Sequence, residues 1–239
     1  MATWLDTTFA DFDAAVAGFA HRLAEATGGA LNVPMELVSL LAWKGFCMFL
    51  LGFCLCLFAK TRKQGMTVFL AVCFGGLFTN IIIKNAVARI RPYEASEMYR
   101  AWWQYAGAVM EKEFSFPSGH TTATTAAMTG LFLTTKKKWS WLALLLIPVI
   151  GFSRIYLTVH YPTDVLGGLF SGLLGATVSF FVVKGIYALL TAHAENRFCA
   201  FCLGFDPVLS VWRKLCKKDQ NVAEAPAEAQ TADTQEQEH

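Results

Sequence analysis

The segments FPSGHTTATTAAMTGLFL at 116–133 and GFSRIYLTVHYPTD at 151–164 decide the fold of this chain. Each of them joins a polar stretch that contains a histidine to an apolar run. The segment KNAVARIRP at 84–92 adds a lysine and arginines at the end of an earlier apolar run. Cations, histidines and a Ser-Gly turn at the ends of apolar helices are typical of an anion site at a membrane surface. We interpret the three segments together as a phosphate site.

The composition of the chain indicates a membrane protein. Its 239 residues are 55% hydrophobic and 16% charged, and the mean hydropathy is +0.42. A soluble domain of this size cannot bury so many apolar runs in one core. The formal net charge of +2 is too small to indicate a nucleic-acid partner. The lipid bilayer is therefore the expected partner of this chain.

Five apolar runs are long enough to cross a bilayer, which takes roughly 20 residues with some latitude. They are 36–59, 66–88, 120–135, 139–158 and 165–190. The third run is short and rich in threonine, which favours a place at the centre of the bundle. In the fifth run, Gly168 and Gly172 permit a close helix contact. The predicted fold is all-α, a polytopic membrane helical bundle over 35–190 with about five transmembrane helices.

Three further segments lie outside the predicted bundle. Residues 1–34 carry phenylalanines at three- and four-residue spacing and end near Gly28-Gly29, which predicts an N-terminal amphipathic helix. This helix either lies in the bilayer interface or packs its phenylalanine stripe on the bundle. Residues 191–218 mix aromatic and basic residues, which predicts a cytoplasmic interfacial segment. Residues 219–239 lack Lys and Arg, and their composition predicts a disordered acidic tail.

The basic residues between the runs predict the orientation. Clusters at 60–63, 136–138 and 213–218 all fall on one side of the predicted bundle. Cytoplasmic loops carry such an excess of Lys and Arg. The three motif segments lie at the opposite ends of the runs, so we expect a multi-pass membrane protein whose site is extracytoplasmic. The connection 92–117 on that side is rich in Tyr and Trp, which indicates an aromatic belt at the headgroup level or a lid.

Lys84 and Arg91 are two helical turns apart, so on a continuous helix they project from nearly the same face. Pro92 is expected to end that helix. Arginine offers phosphate a planar pair of hydrogen bonds, whereas lysine offers a point charge. The two side chains are therefore expected to clamp a phosphate at the membrane boundary. Arg89 is interpreted as an ordinary positive anchor at the end of the run.

The two histidine segments supply complementary chemistry. Ser118 is the predicted N-cap of the third run, and Gly119 lets an anion approach the backbone. The first amides of that helix form a preformed anion site with His120 beside them. At the start of the fifth run, Asp164 lies close to His160. A carboxylate that accepts from one imidazole nitrogen raises the basicity of the other, which makes His160 a candidate nucleophile or base.

The three motifs together resemble the signature of the type 2 phosphatidic-acid phosphatase superfamily, which also includes glucose-6-phosphatase and the vanadium-dependent haloperoxidases. The matching residues are Lys84-x6-Arg91-Pro92, Pro117-Ser118-Gly119-His120 and Ser153-Arg154-x5-His160-x3-Asp164. The resemblance covers about residues 36–190 and includes every motif position. It implies an all-helical core and a metal-independent phosphatase, without a cofactor, that works through a phosphohistidine intermediate.

The resemblance also implies a role for each motif residue. His160 is similar to the nucleophile of the family and Asp164 to its orienting carboxylate. His120 is similar to the acid that protonates the leaving group and then to the base that activates water. The residues that resemble the phosphate-binding set are Lys84, Arg91, Ser118, Gly119 and Arg154. Three cations take the place of the metal that other phosphatases use, so no metal ligand is expected.

The expected function is hydrolysis of a terminal phosphate of a membrane lipid. Candidate substrates are polyprenyl diphosphates such as undecaprenyl diphosphate, phosphatidic acid, phosphatidylglycerophosphate and sugar-linked lipid phosphates. The compact chain favours a polyprenyl diphosphate. A phosphotransferase that passes the phosphoryl group to another acceptor is the alternative enzyme. The five runs disfavour a soluble haloperoxidase, and the presence of both His120 and His160 disfavours a scaffold with a relict site.

Overall fold

The computed structural model describes residues 2–210, and all regular structure in this range is helical. The α-helices are α1 Ala2–Thr8, α2 Ala10–Ala26, α3 Asn32–Leu40, α4 Phe46–Cys56, α5 Arg62–Gly76, α6 Lys84–Val87, α7 Pro92–Ala95, α8 Glu97–Ala106, α9 Gly119–Thr134, α10 Leu146–Tyr156, α11 Pro162–Ala192 and α12 Arg197–Gly204. A π-helical stretch, Leu77–Ile83, joins α5 to α6. Short 3-10 helices, Trp43–Gly45 and Ser140–Leu145, precede α4 and α10. The predicted segment 191–218 is described to residue 210, and the predicted tail 219–239 lies outside the described residues.

Three helical stretches are long and apolar enough to cross a membrane: Asn32–Cys56, Arg62–Ala95 and Pro162–Ala192. Arg62–Ala95 and Pro162–Ala192 contain the second and fifth predicted runs, and Asn32–Cys56 covers the first run up to residue 56. The third run forms α9, and the fourth forms the shorter apolar helix Ser140–Tyr156. Large apolar side chains stay exposed on the outer faces of the long helices, among them Phe46, Phe53, Phe170 and Phe181. The prediction of an all-helical membrane bundle is confirmed.

Helix α9 lies at the centre of the bundle and packs on both α5 and α11, which also contact each other. Small side chains on these helices form one buried core together with α4: Met48, Val68, Ala71, Val72, Ala123, Ala126, Ala127, Met128 and Ala176. The four threonines at 121–125 are also buried. The Thr79 hydroxyl bonds those of Thr122 at 2.9 Å and Ser171 at 2.7 Å. The central place that we predict for the threonine-rich run is confirmed.

Glycines on α11 let it approach α9 at backbone distance. A Cβ on Gly172 would lie 2.7 Å from the carbonyl oxygen of Thr122, and a Cβ on Gly168 would lie 2.6 Å from that of Ser118. The close contact predicted from this glycine pair is confirmed. Because Ser118 belongs to the second motif, the lack of a side chain at Gly168 also brings the second motif against the start of α11.

Replacement of Gly175 by alanine is expected to destabilise the bundle by about 1–3 kcal/mol. The added Cβ would lie 2.6 Å from the backbone nitrogen of Gly75, so α11 and α5 must move apart. Gly185→Ala is the matched control on the same helix, because nothing lies within 4 Å of its Cβ position. Thermal unfolding in detergent measures the difference, and equal unfolding temperatures for the two variants would contradict the close α5–α11 contact.

The N-terminal helices pack on the bundle through small residues. Helix α2 contacts α10 and α11 and buries Asp13 together with the alanines at 17, 20 and 24. Phe12 and Phe19 of the predicted stripe are 43% and 56% exposed. The predicted helix ends before Gly28-Gly29, as expected, but its phenylalanine stripe does not pack on the bundle. Its alternative place, in the bilayer interface, stays a prediction.

The connection 92–117 forms α7, α8 and a loop over the end of the bundle. Its aromatic rings pack on other parts of the protein. Trp102 stacks on His21 of α2 with 4.6 Å between ring centroids, and Tyr99 meets Tyr161 edge-on at 5.7 Å. These rings join α8 to α2 and to the turn before α11. For this connection, 92–117, the sequence indicated an aromatic belt or a lid. The loop that follows α8 reaches the site.

Candidate active site

A cavity of about 820 Å³ opens at the end of the bundle, lined by residues of α3, α5, α6, α9, α10 and the loop before α9. Five predicted site residues line it: Lys84, Gly119, His120, Arg154 and His160. The other three, which are Arg91, Ser118 and Asp164, are buried in contact with them. The remaining wall includes apolar groups such as Leu40, Phe49, Val72 and Leu157. A polar end and an apolar wall in one cavity fit an amphipathic ligand.

His160 lies in the turn between α10 and α11 and is 2% exposed. Its Nδ1 lies 3.4 Å from Oδ2 of Asp164 and 3.4 Å from Oγ of Ser115. Ser115 donates its hydroxyl proton to that same carboxylate oxygen. On the other side of the ring, Nε2 lies 3.4 Å from Nη1 of Arg91. The carboxylate side can therefore orient the ring while Nε2 faces a cation that can hold an anionic ligand.

Asp164 is fully buried in the first turn of α11. Its Oδ2 accepts a hydrogen bond from the Tyr161 amide at 2.8 Å, and its Oδ1 accepts one from Nη1 of Arg89 at 2.8 Å. Arg89 also donates to Asp6 at 2.7 Å and to Asp13 at 2.8 Å. The interpretation of Arg89 as a membrane anchor is wrong, because three carboxylates surround its buried guanidinium.

The guanidinium of Arg91 is held by main-chain carbonyls on two sides. Its Nε donates to the Glu113 carbonyl at 2.7 Å, and its Nη1 donates to the Val159 carbonyl at 2.8 Å. Its Nη2 lies 2.6 Å from Oε2 of Glu111. Because the guanidinium is planar, the two carbonyls fix its orientation beside His160.

Arg154, near the end of α10, completes the set of cations. Its Nη1 donates to the Ser39 hydroxyl, and its Nη2 pairs with Oε1 of Glu111. The two carboxylate oxygens of Glu111 thus bridge Arg154 and Arg91. A carboxylate between two guanidinium groups makes the contacts that two oxygens of a phosphate would make.

The chain between Lys84 and Arg91 is not a continuous helix. Helix α6 ends just before Ala88, which has φ +50°, and Arg91 is extended before Pro92, which begins α7. The predicted common helix face and the predicted helix end at Pro92 are wrong, because the left-handed residue turns the chain. Lys84 nevertheless reaches the cavity, where its ammonium pairs with Glu113.

The second motif forms a capped helix start, as predicted. Ser118 is extended, and its Oγ accepts a hydrogen bond from the Thr121 amide at 3.5 Å. The Ser118 amide donates to the main-chain oxygen of Asp164 at 2.9 Å, which joins the second motif to the third. The first turn of α9 then brings Gly119 and His120 to the cavity wall.

Charge and burial set the ionisation of two loop groups in the site. Burial raises the pKa of Glu111, but the charges of Arg154 and Arg91 outweigh burial and hold that pKa at about 2. Burial and the charges of Arg91 and Arg154 lower the pKa of His160 well below its ordinary value. At neutral pH, Glu111 is therefore ionised and His160 is neutral, and a neutral imidazole can attack an electrophile.

A family comparison decides how these motifs are related to known proteins. The sequence model of the PAP2 superfamily matches residues 64–187, which is more than half of the chain and spans all three motifs.

This chain belongs to the PAP2 superfamily.

Relatives of this PAP2 protein carry phosphatase names. An undecaprenyl-diphosphatase from Sulfolobus acidocaldarius is 30% identical over 131 residues, which cover 54% of this chain and 59% of the relative. Phosphatidylglycerophosphatase B from Bacillus subtilis is 34% identical over 135 residues, which cover 52% of this chain and 59% of the relative. The matched part of this chain thus spans 59% of the length of these two relatives.

A solved structure shares the fold. The crystal structure of a transmembrane PAP2 type phosphatidylglycerolphosphate phosphatase from Bacillus subtilis matches with a TM-score of 0.58 and 28% sequence identity. The match covers 82% of this PAP2 chain and 92% of the solved chain. The structural similarity therefore extends beyond residues 64–187.

Sequence patterns do not mark four residues that contact the PAP2 motifs. They are Asp13, Glu111, Glu113 and Ser115. Glu111, Glu113 and Ser115 lie in the loop before the second motif. The closeness of the two glutamates to that motif is the one feature of the sequence that could have indicated a contact with its cations. No signal marks Asp13, because its partner Thr163 lies 150 residues away along the chain.

Proposed function

We propose that this PAP2 protein is an integral-membrane lipid phosphatase that removes a terminal phosphate through a phosphohistidine at His160. The observation that carries the proposal is that His160 and Arg154 line one cavity, with Arg91 buried beside Nε2 of His160, and that the rest of the cavity wall includes apolar groups. The names of its relatives, an undecaprenyl-diphosphatase and a phosphatidylglycerophosphatase, support a lipid phosphate as the substrate class.

In the first step, Nε2 of His160 attacks phosphorus while the bond from phosphorus to the leaving oxygen breaks. The proton on Nδ1 stays on the ring and faces Asp164, so a carboxylate balances the charge of the phosphoimidazolium. His120 donates a proton to the leaving oxygen. Arg91 and Arg154 stabilise the charge on the equatorial oxygens and hold them in line for the transfer.

In the second step, His120 accepts a proton from a water molecule whose oxygen attacks the phosphohistidine. The bond between phosphorus and Nε2 of His160 breaks, and its electron pair returns to the ring. The water supplies the new oxygen of inorganic phosphate and the proton that resets His120 for the next cycle. Neither step requires a metal, because the cations supply the charge stabilisation.

A polyprenyl diphosphate is the substrate that we favour. The apolar wall of the cavity suits a hydrocarbon chain, and one relative is named for undecaprenyl diphosphate. We also propose that the site faces away from the cytoplasm. Basic residues at 60–63 and 136–138 lie at the ends of α5 and α9 that are opposite to the site, and such residues favour the cytoplasmic side. The exposed phenylalanines of α2 support a place for that helix in the interface.

Phosphate release from a lipid panel tests the proposed function. The purified protein in detergent receives undecaprenyl diphosphate, phosphatidic acid or phosphatidylglycerophosphate, each with and without EDTA. We expect release from at least one lipid, with no loss in EDTA. Release from none of them would overturn the phosphatase proposal, and EDTA-sensitive release would overturn the metal-free mechanism. Transfer of phosphate to an added alcohol instead of water would assign the phosphotransferase alternative.

Replacement of Glu111 by glutamine is expected to strengthen the binding of inorganic phosphate roughly tenfold, which is about 1.4 kcal/mol. The Glu111 carboxylate must leave Arg91 and Arg154 before an anion binds, and a neutral amide competes less well for guanidinium groups. The inhibition constant of inorganic phosphate measures this effect. Glu97→Gln is the control, because Glu97 is exposed and pairs with Arg100 on α8. An unchanged inhibition constant in Glu111→Gln would contradict the competition.

A further inference from the structure

The N-terminal helices contact the buried carboxylate of the third motif through Arg89. We propose that Asp13 and Arg89 are positioning residues for the reaction, through which α2 sets the orientation of Asp164 and so of His160. Helix α2 lies outside residues 64–187, the part of the chain that matches the family. The inference rests on the proposed role of His160 as the nucleophile.

Arg89 is held at all three of its guanidinium nitrogens. Nη1 donates to Oδ1 of Asp164 at 2.8 Å and to Oγ1 of Thr163 at 2.7 Å. Nη2 donates to Oδ2 of Asp13 at 2.8 Å, and Nε donates to Oδ1 of Asp6 at 2.7 Å. Since the guanidinium is planar and rigid, carboxylates on its N-terminal side fix the direction in which Nη1 meets Asp164.

Asp13 also holds the first turn of α11 directly. Its Oδ1 accepts a hydrogen bond from the Thr163 amide at 2.9 Å, and its Oδ2 accepts one from the Thr163 hydroxyl at 2.8 Å. Thr163 precedes Asp164 in the chain. One carboxylate of α2 therefore fixes both the cation that binds Asp164 and the backbone that carries it.

The second carboxylate oxygen of Asp164, Oδ2, links the contacts with Arg89 and Asp13 to His160. With Oδ1 bound to Arg89, Oδ2 accepts from the Tyr161 amide and from Ser115, and it faces Nδ1 of His160 at 3.4 Å. A buried carboxylate without a partner is costly, so the ion pair with Arg89 stabilises the Asp164 carboxylate, which is 0% exposed. Rotation of Arg89 would turn the carboxylate and with it the imidazole.

The guanidinium of Arg89 is surrounded by groups from several elements. Asp6 on α1 and Asp13 on α2 face Arg89 from the N-terminal side, and the ring of Tyr161 lies 3.9 Å from its guanidinium carbon. The phosphate-binding cations Arg91 and Arg154 pair with a different carboxylate, Glu111. A change at Asp13 should therefore affect the orientation of His160 and leave the anion contacts intact.

The kinetic test compares Asp13→Asn with Asp11→Asn. Asp11 lies two residues away on the same helix and is exposed, so it is the matched control. We expect Asp13→Asn to lower kcat about tenfold, with the substrate KM and the inhibition constant of inorganic phosphate changed less than twofold. Arg89→Lys keeps the charge but loses the planar guanidinium that donates to several partners at once, so it should lower kcat further. Wild-type kcat in Asp13→Asn, or equal losses in kcat and in phosphate binding, would overturn the positioning role.

A spectroscopic test keeps the inference separate from the proposed function. With ¹⁵N-labelled histidine in the full-length protein, NMR reports the Nδ1 proton of His160, which is assigned by its absence in His160→Gln. We expect this resonance to shift in Asp13→Asn and to stay in place in Asp11→Asn. If the wild type releases no phosphate, the proposed function fails, and the NMR comparison still decides the positioning. A resonance that stays in place in both variants would overturn it.

Discussion

Replacement of His160 by alanine is expected to lower kcat/KM for lipid phosphate hydrolysis by at least about 10³-fold. The imidazole accepts the phosphoryl group in the proposed mechanism, and its Nε2 lies 3.4 Å from Nη1 of Arg91. The proposed phosphate-binding cations should stay in place, because Arg91 and Arg154 are held by their own partners. We therefore expect the loss in kcat, with binding of inorganic phosphate nearly unchanged.

His193→Ala is the matched control for this variant. His193 is exposed just after the far end of α11, where its ring nitrogen Nδ1 lies 3.0 Å from the Leu189 carbonyl oxygen. Its kcat/KM should equal that of the wild type. A His160→Ala preparation that retains a tenth of wild-type activity would show that another group is the nucleophile.

Replacement of Arg91 by lysine is expected to lower kcat/KM by about 10²-fold. The ammonium keeps the charge but cannot donate to the Glu113 and Val159 carbonyls and reach a phosphate at the same time. The cation then loses its fixed place beside His160. Because charge on the equatorial oxygens is stabilised in the transition state, the loss should be larger in kcat than in KM.

Arg100→Lys is the corresponding control, since Arg100 is half-exposed on α8 and pairs with Glu97. It should keep wild-type kinetics, because an exposed pair of this kind contributes little. Equal kcat/KM values for Arg91→Lys and Arg100→Lys would remove Arg91 from the proposed phosphate site.

The motif residues could be predicted from the sequence because each carries its chemistry in its own type and spacing. His160 and Asp164 lie within one turn of chain, so proximity along the sequence implies proximity in space. Ser118 precedes the helix that it caps, which is a local signal as well. The threonine-rich run and the glycines of α11 indicated close packing in the same way, through composition alone.

The supporting residues could not be predicted because their contacts join distant parts of the chain. Arg89 meets Asp13 across 76 residues and Asp164 across 75. Periodicity marked Phe12 and Phe19 on α2, but it gave no reason to single out Asp13. Only the packing of α2 on α11 turns one acidic residue of a surface helix into a buried partner of the site.

The backbone before Arg91 shows a second limit of sequence patterns. A seven-residue spacing fits two helical turns, yet Ala88 takes a left-handed conformation and the helix ends there. Position 88 is an alanine, not the glycine or asparagine that would predict a left-handed turn. The two cations still meet the same site, because tertiary contacts rather than a shared helix face bring them together.

Trapping the phosphoenzyme tests the central claim most directly. The protein is quenched in alkali during turnover of a lipid diphosphate labelled in its terminal phosphate, with EDTA present. We expect one labelled site, stable to alkali and labile to acid, which mass spectrometry locates at His160 and which is absent in His160→Ala. Turnover that leaves no label on the protein, or label on a residue other than His160, would contradict the phosphohistidine mechanism.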